Sequence, residues 1–224
     1  MPLSAESLTK QFIRESKNAN CFSAVDDVSL RLEEGTVTVL TGRSGGGKTT
    51  VLNMMSGLLA PTKGRVLLDD SDIYSLADKE LSRLRNRRFG VIPQGQTAIH
   101  SLNVMQNIML PYTLYNERAD EDTLKRAEEL LERLDIAGLS ASKPAELSGG
   151  ELRRMAIARA VIKKPDFIFA DEPTGDLDDE NTKTVFEFLR SAADEGAAVL
   201  IVTHEECAAA YADRVMKMAS GKIV

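Results

Sequence analysis

The chain has 224 residues, 43% hydrophobic and 28% charged, with a formal charge of −6, so it has apolar material for a core and lacks the Lys and Arg excess of a dedicated nucleic-acid binder. Its two cysteines, Cys21 and Cys207, stand far apart and outside any C-x-x-C spacing, so neither a disulfide framework nor a zinc site is indicated and a reducing cytosol fits. The start MPLSAESLTK lacks the basic flank and apolar core of a signal peptide, and no apolar run approaches the ~18 residues of a membrane span; any membrane role therefore expects another chain to do the spanning.

From the amino end, residues 7–12 and 28–32 alternate loosely as strands around a polar surface loop at 13–20. The β-branched run TVTVL at 36–40 predicts a buried strand, and TTVLNMMSGLL at 49–59 has helical apolar spacing. Residues 61–64 (PTKG) form a turn before a strand at 65–68, and Leu81 and Leu84 suggest a short basic helix carrying Arg83, Arg85, Arg87 and Arg88. A strand FGVIPQ follows at 89–94. Residues 103–164 are mostly helical in composition, with Leu124, Ala127, Leu130, Leu131 and Leu134 on one face and Asp120 or Asp122 as the cap. The near-continuous apolar runs FIFAD (167–171) and AAVLIVT (197–203) read as parallel strands buried on both faces. Helical segments at 181–193 and 205–213 alternate with them, and the end predicts a hairpin turning at Ser220-Gly221. Together these predict a three-layer α/β core with a helical insertion.

The chemistry gathers where strands end. Between the strand at 36–40 and the next helix lies TGRSGGGKTT, fitting G-x-x-x-x-G-K-[ST] with Gly42, Gly47, Lys48 and Thr49 at the fixed places. The backbone of Arg43, Ser44, Gly45, Gly46 and Thr50 completes a loop whose N–H groups turn inward to cradle phosphate. The lysine reaches the outer phosphates and the threonine hydroxyl ligates Mg²⁺. Asp171 and Glu172 end a buried strand, where a phosphate-loop enzyme holds its metal through the first carboxylate and polarises a water with the second. His204 follows another buried strand and falls at the same edge, within reach of a γ-phosphate. Gln94 reads either as a turn residue beside Pro93 or as an amide reaching Mg²⁺ or the attacking water; Phe12 reads either as core or as a stacking face for adenine. Ser148, Gly149 and Gly150 precede a long helix, either as an ordinary cap or as a second anion site that completes the triphosphate site of a second, head-to-tail copy.

These pieces, in this order, resemble the ATP-binding subunit of ABC transporters, over essentially all 224 residues. GRSGGGKT resembles Walker A, Gln94 the Q-loop, LSGGE the signature, FIFADE Walker B, TGDLD the D-loop and His204 the switch histidine; Phe12 stands where the A-loop aromatic is commonly Tyr. The resemblance implies a phosphate-loop NTPase (RecA-like) fold in one domain, 1–224, with an N-terminal antiparallel β subdomain and a helical subdomain at about 95–164. It implies ATP and Mg²⁺ as cofactors, with Glu172 and His204 catalytic and Thr49, Gln94 and Asp171 around the metal. Ser148, Gly149, Gly150, Glu151 and Asp178 would contact the nucleotide of the other subunit of an ATP-bound homodimer. The wording ADEPTGDLD is most similar to the lipoprotein-releasing, macrolide-exporter and cell-division subfamily. That implies a separate integral membrane permease, a place on the cytoplasmic face of the inner or plasma membrane, and a role in export, lipoprotein extraction or transenvelope signalling. Leu152, His100 and Gln106 depart from the common pattern, the last two in the segment that meets the permease. The competing expectation is a soluble ABC ATPase acting on nucleic acid or the ribosome, which usually carries a second ATPase domain, a coiled-coil insertion or zinc modules.

Overall fold

A computed structural model describes residues 2–13, 21–95, 97–115, 117–175 and 177–224. Of the loop expected at 13–20, Ile13 closes β1 and residues 14–20 lie outside the described residues, as does Asp176 of the D-loop wording. In chain order the elements are β1 (Leu3–Ile13), β2 (Cys21–Leu32), β3 (Val37–Thr41), α1 (Lys48–Met55), β4 (Lys63–Leu68), β5 (Ser71–Asp72), α2 (Asp78–Arg88) and β6 (Phe89–Ile92). There follow α3 (Val104–Ile108), α4 (Leu110–Thr113), α5 (Glu121–Arg133), α6 (Gly149–Val161), β7 (Phe167–Asp171), α7 (Asp179–Asp194), β8 (Ala198–Thr203), β9 (Arg214–Ala219) and β10 (Lys222–Ile223).

Six strands form the central sheet in the order β10-β9-β3-β8-β7-β6, parallel from β9 to β6. Side-chain alternation divides it between two cores. Val37, Val39, Ile168, Ala170, Val199 and Ile201 face the helical side, with α5, α6 and α7. Leu40, Phe167, Phe169, Leu200 and Val202 face α1 and the antiparallel sheet β2-β1-β4-β5. Both faces are covered, which is why these strands carry almost no polar residues. Phe89 packs edge-on against Phe167 and Phe169, with ring centres 5.7 and 5.4 Å apart, each pair contributing ~0.5–1.5 kcal/mol beyond area burial. The result is the expected three-layer α/β core, with the antiparallel sheet as one outer layer and helices as the other.

Several boundaries differ from the sequence expectation. β1 and β2 are longer than expected because they pair with each other along their length, an arrangement periodicity over 7–12 and 28–32 does not reveal. α1 stops at Met55, since the N–H groups of Leu58 and Leu59 both turn back to Asn53 O at 2.9 and 3.0 Å. The segment expected as a helix at 205–213 is a 3₁₀ turn, Glu206–Tyr211. Asp120 caps α5 as expected, accepting from Thr123 N–H at 2.9 Å. Leu124 is 45% exposed, although it shares a face with the buried Ala127, Leu130, Leu131 and Leu134. Two residues on, Arg126 donates to the Ile162 and Val161 carbonyls at 3.0 and 3.1 Å, tying α5 to the end of α6. Arg85, Arg87 and Arg88 of the basic cluster fill the last turn of α2, where Arg85 bonds Gly57 O and Arg88 pairs with Asp166 and Asp69. No helix among the described residues is long and apolar enough to cross a membrane.

Candidate active site

The carboxyl end of β3 runs into a loop closed by Gly46 N–H on Arg43 O at 3.1 Å. The β9–β10 turn braces it from outside, Gly221 N–H donating to Gly46 O at 3.1 Å. At Gly47 the chain turns with φ 99°, and a Cβ there would lie 2.3 Å from Ala24 O; only glycine combines that dihedral with that approach. Lys48 is 6% exposed, its ammonium 2.7 Å from Gly42 O and 3.3 Å from Arg43 O. α1 then begins with neither a side-chain cap nor an acidic residue in its first turn. Its N-terminal amides and the positive end of its dipole are thus left for an external anion. Arg43, Ser44, Gly45 and Thr49 are exposed on the rim, and Thr50 is half-buried.

β7 is two strands from β3 and ends at the same edge. Asp171 is 3% exposed and its Oδ1 accepts the Thr49 hydroxyl at 3.1 Å. Burial pushes its carboxyl above the usual range; the Thr49 bond opposes this, Glu172 adds to it, and Lys48 and Arg153 pull it back. The next residue, Glu172, has φ 46°, a left-handed conformation that costs a non-glycine residue ~1–2 kcal/mol. Its amide reaches Val202 O at 2.8 Å, and its Oε2 meets Thr203 Oγ1 and His204 Nδ1, both at 3.0 Å. Backbone strain held by such a network is characteristic of functional positions. The structure therefore brings together the loop 42–50, Asp171, Glu172 and His204.

Gln94 stands two residues beyond Ile92, whose register partner is Ala170, so it lies at the same edge with its side chain exposed. Phe12 lies on β1 in register with Phe22 of β2. It is half-exposed and stacks on Phe22 with ring centres 5.8 Å apart. Phe22 precedes Ala24, the residue against which Gly47 packs, by two positions, so the aromatic pair borders the loop through β2. Ser148 caps α6: its hydroxyl accepts Glu151 N–H at 3.3 Å and donates to Glu151 Oε2, 2.8 Å away. The Ser148 amide and hydroxyl hold the Glu151 carboxyl below its usual range. Ser148 and Gly149 are exposed, and among the described residues this corner makes no hydrogen bond to the loop 42–50. Asp178 caps α7, held below the usual carboxylate range by the Asn181 amide and side chain, each at 2.8 Å. Arg154 donates to Asn181, and Arg153 to Pro93 O at 2.7 Å, so α6 is tied to the segments carrying Asp178 and Gln94.

Phe22, Thr203 and Arg153 belong to this neighbourhood without having been singled out from sequence. Only a strand pairing identifies Phe22 and only a helix face identifies Arg153; Thr203 had no signal beyond closing a strand.

The sequence profile of the ABC transporter family matches residues 25–175, from β2 through the turn after Glu172. The chain belongs to the ABC transporter family. It is 37% identical over 203 residues to the lipoprotein-releasing system ATP-binding protein LolD of Aquifex aeolicus, covering 91% of this chain and 90% of LolD. It is 36% identical over 205 residues to the macrolide export ATP-binding/permease protein MacB of Mannheimia succiniciproducens, covering 92% of this chain but 32% of MacB. The chain thus spans about a third of the length of the fused ATP-binding/permease relatives. The dimeric post-hydrolysis structure of the ATP-binding cassette MJ0796, bound to ADP and Pi, superposes with a TM-score of 0.90 at 31% identity, covering 99% of this chain and 96% of that one.

Proposed function

We propose that the chain is the ATP-hydrolysing cassette of an ABC transporter, closing head to tail with a second copy around two MgATP and driving a membrane permease. The whole chain, with its helical insertion at about 95–164, acts as one unit. The observation that carries this reading is the convergence at one sheet edge of an uncapped helix start, the Thr49–Asp171 pair and a strained Glu172 held by two donors.

Amides of the loop and α1 bind the phosphates, and Lys48 exchanges the Gly42 and Arg43 carbonyls for the outer phosphate oxygens. Two hard oxygens, the Thr49 hydroxyl and the buried Asp171 carboxylate, already stand in contact, a donor set that suits Mg²⁺ with water and phosphate oxygens completing the shell. Thr49, Asp171 and the Gln94 amide would hold the ion, and bound there Mg²⁺ neutralises charge on the phosphates. Glu172 takes a proton from water as its oxygen attacks the γ-phosphorus and ADP departs, while His204 donates toward the phosphate. Phe12, beside Phe22, stacks the adenine. Ser148 with Gly149 and Gly150, Glu151 behind them and Asp178 close the site of the other subunit.

LolD, whose length the chain nearly matches, and MacB, which joins cassette and permease in one chain, support a role in lipoprotein extraction or export; transenvelope signalling and a place at the cytoplasmic face of the membrane rest on the sequence resemblance. A groove of about 320 Å³ between α2, α4 and α6, lined by Leu58, Phe89, Leu110, Leu114 and Tyr115 and edged by Arg159 and Lys163, suits a short cytoplasmic helix of that permease. The test of the chemistry is ATP turnover of Glu172→Gln, expected to fall ~10²–10⁴-fold; turnover equal to wild type would remove Glu172 as base.

A further inference from the structure

The end of β8 holds a hydroxyl with no task in the mechanism above. Thr203 is fully buried. Its Oγ1 lies 3.1 Å from the Glu205 amide nitrogen and 3.0 Å from Glu172 Oε2. A hydroxyl has one proton, and because the Glu205 N–H points at its oxygen, that proton is directed to the carboxylate. Glu205 is itself held: its Oε1 accepts the Thr174 hydroxyl at 2.8 Å, and Thr174 is 1% exposed. Thr174 sits in the turn that Gly175 N–H closes onto Glu172 O at 3.2 Å. Glu172, Thr203, Glu205 and Thr174 thus form a closed ring joining the end of β7 to the end of β8.

His204 lies outside the ring. Its side chain is 68% exposed, and its Nδ1 contacts the same carboxylate oxygen as Thr203, at 3.0 Å. The two partners of Oε2 differ in kind: one is buried and fixed on both sides, the other is exposed and, among the described residues, anchored through Glu172 alone. We propose that Thr203 is the positioning residue for Glu172, its hydroxyl holding the carboxylate at Oε2 when the imidazole turns from Glu172 to the phosphate. Oε1, on which no donor is found among the described residues, then takes the proton of the attacking water. The left-handed backbone at Glu172 gives the tether its purpose, since a strained residue keeps its place only while its surroundings over-determine it. The inference rests on Glu172 being the base.

Thr203→Ser and Thr203→Ala lack the same methyl group and differ by the hydroxyl alone. Each is assayed in the full chain for ATP turnover at saturating MgATP, for affinity toward a fluorescent ATP analogue, and for Tm. The alanine variant is expected to turn over about tenfold more slowly than the serine variant, with equal affinity, because the phosphate loop is untouched. In a Glu172→Gln background the same pair should show no difference in residual turnover, since Thr203 acts only through the carboxylate. Equal turnover of the Ser and Ala variants, or a difference that persists beside Glu172→Gln, would overturn the proposal. Wild-type turnover by Glu172→Gln itself would instead overturn the assignment of the base, a separate result. Should Thr203→Ala fail to fold, Thr203→Val, which keeps the side-chain shape, replaces it against wild type under the same two criteria.

Discussion

Replacing Gly47 by alanine tests the phosphate loop at its tightest point. A Cβ there would sit 2.3 Å from Ala24 O and 2.8 Å from the Met218 methyl. An ordinary carbon–oxygen approach is about 3.3 Å, so the loop and β2 must separate by ~1 Å, and the atom met is backbone, Ala24 O, rather than the end of a flexible side chain. The φ of 99° adds strain of ~1–2 kcal/mol or more for any residue with a Cβ. A misplacement of ~1 Å among groups that position a substrate can cost ~10²-fold in rate. Gly45→Ala is the control: its φ is 76°, but its Cβ would meet nothing within 4 Å. It carries the dihedral strain without the collision. Turnover at saturating MgATP, affinity for a fluorescent ATP analogue and Tm, measured for both variants, should show Gly47→Ala losing roughly two orders of magnitude in turnover with weakened nucleotide binding. Gly45→Ala should lose far less. Wild-type nucleotide binding by Gly47→Ala, or a greater loss at Gly45, would refute the packing of this loop on β2 as the source of its shape.

Three further outcomes follow from the same geometry. Burial raises the Asp171 carboxyl above its usual range, so the folded state holds its proton more tightly than the unfolded chain; this penalty on the wild type is absent at low pH and grows as pH rises through the folded pKa. Asp171→Asn should therefore melt higher than wild type at pH 8, with the gain fading on acidification, while Mg²⁺-dependent turnover is lost; calorimetry across pH checks it. Phe169→Ala, at a fully buried ring against Phe89, should cost about 3–5 kcal/mol in chemical denaturation. In a chain of this size that lowers Tm by roughly 6–20 °C. Leu114→Glu, at a 65% exposed apolar edge of the groove, should reduce co-purification of the cassette with the permease proposed above.

The core strands were legible because each is short, apolar and buried on both faces: 167–171 was read to the residue, and 197–203 to within one. The phosphate loop and the acidic pair were legible because their chemistry demands fixed residue types at fixed offsets. What escaped was set by pairing between distant segments. β1 and β2 lengthen each other by pairing from Ile13↔Cys21 to Leu3↔Leu32, and Phe12 meets Phe22 only through that register. Leu124 has the right period for the buried face of α5 but stays 45% exposed. Thr203 looked like the last residue of a strand; its importance appears only once β7 and β8 lie side by side and its hydroxyl meets Glu172. The cap at Ser148 was legible, but its engagement with its own Glu151 was not, since a capping box and an open anion site share one sequence pattern.

The central claim is that each nucleotide is held between the loop of one copy and the Ser148 corner of another. Sedimentation velocity of Glu172→Gln with and without MgATP, beside Glu172→Gln/Ser148→Arg, measures it most directly. The account predicts a shift from monomer to dimer for the single variant on adding MgATP. It predicts no shift for the double variant, even though that protein still binds the nucleotide. A single variant that stays monomeric at saturating MgATP, or a double variant that dimerises equally well, would contradict it.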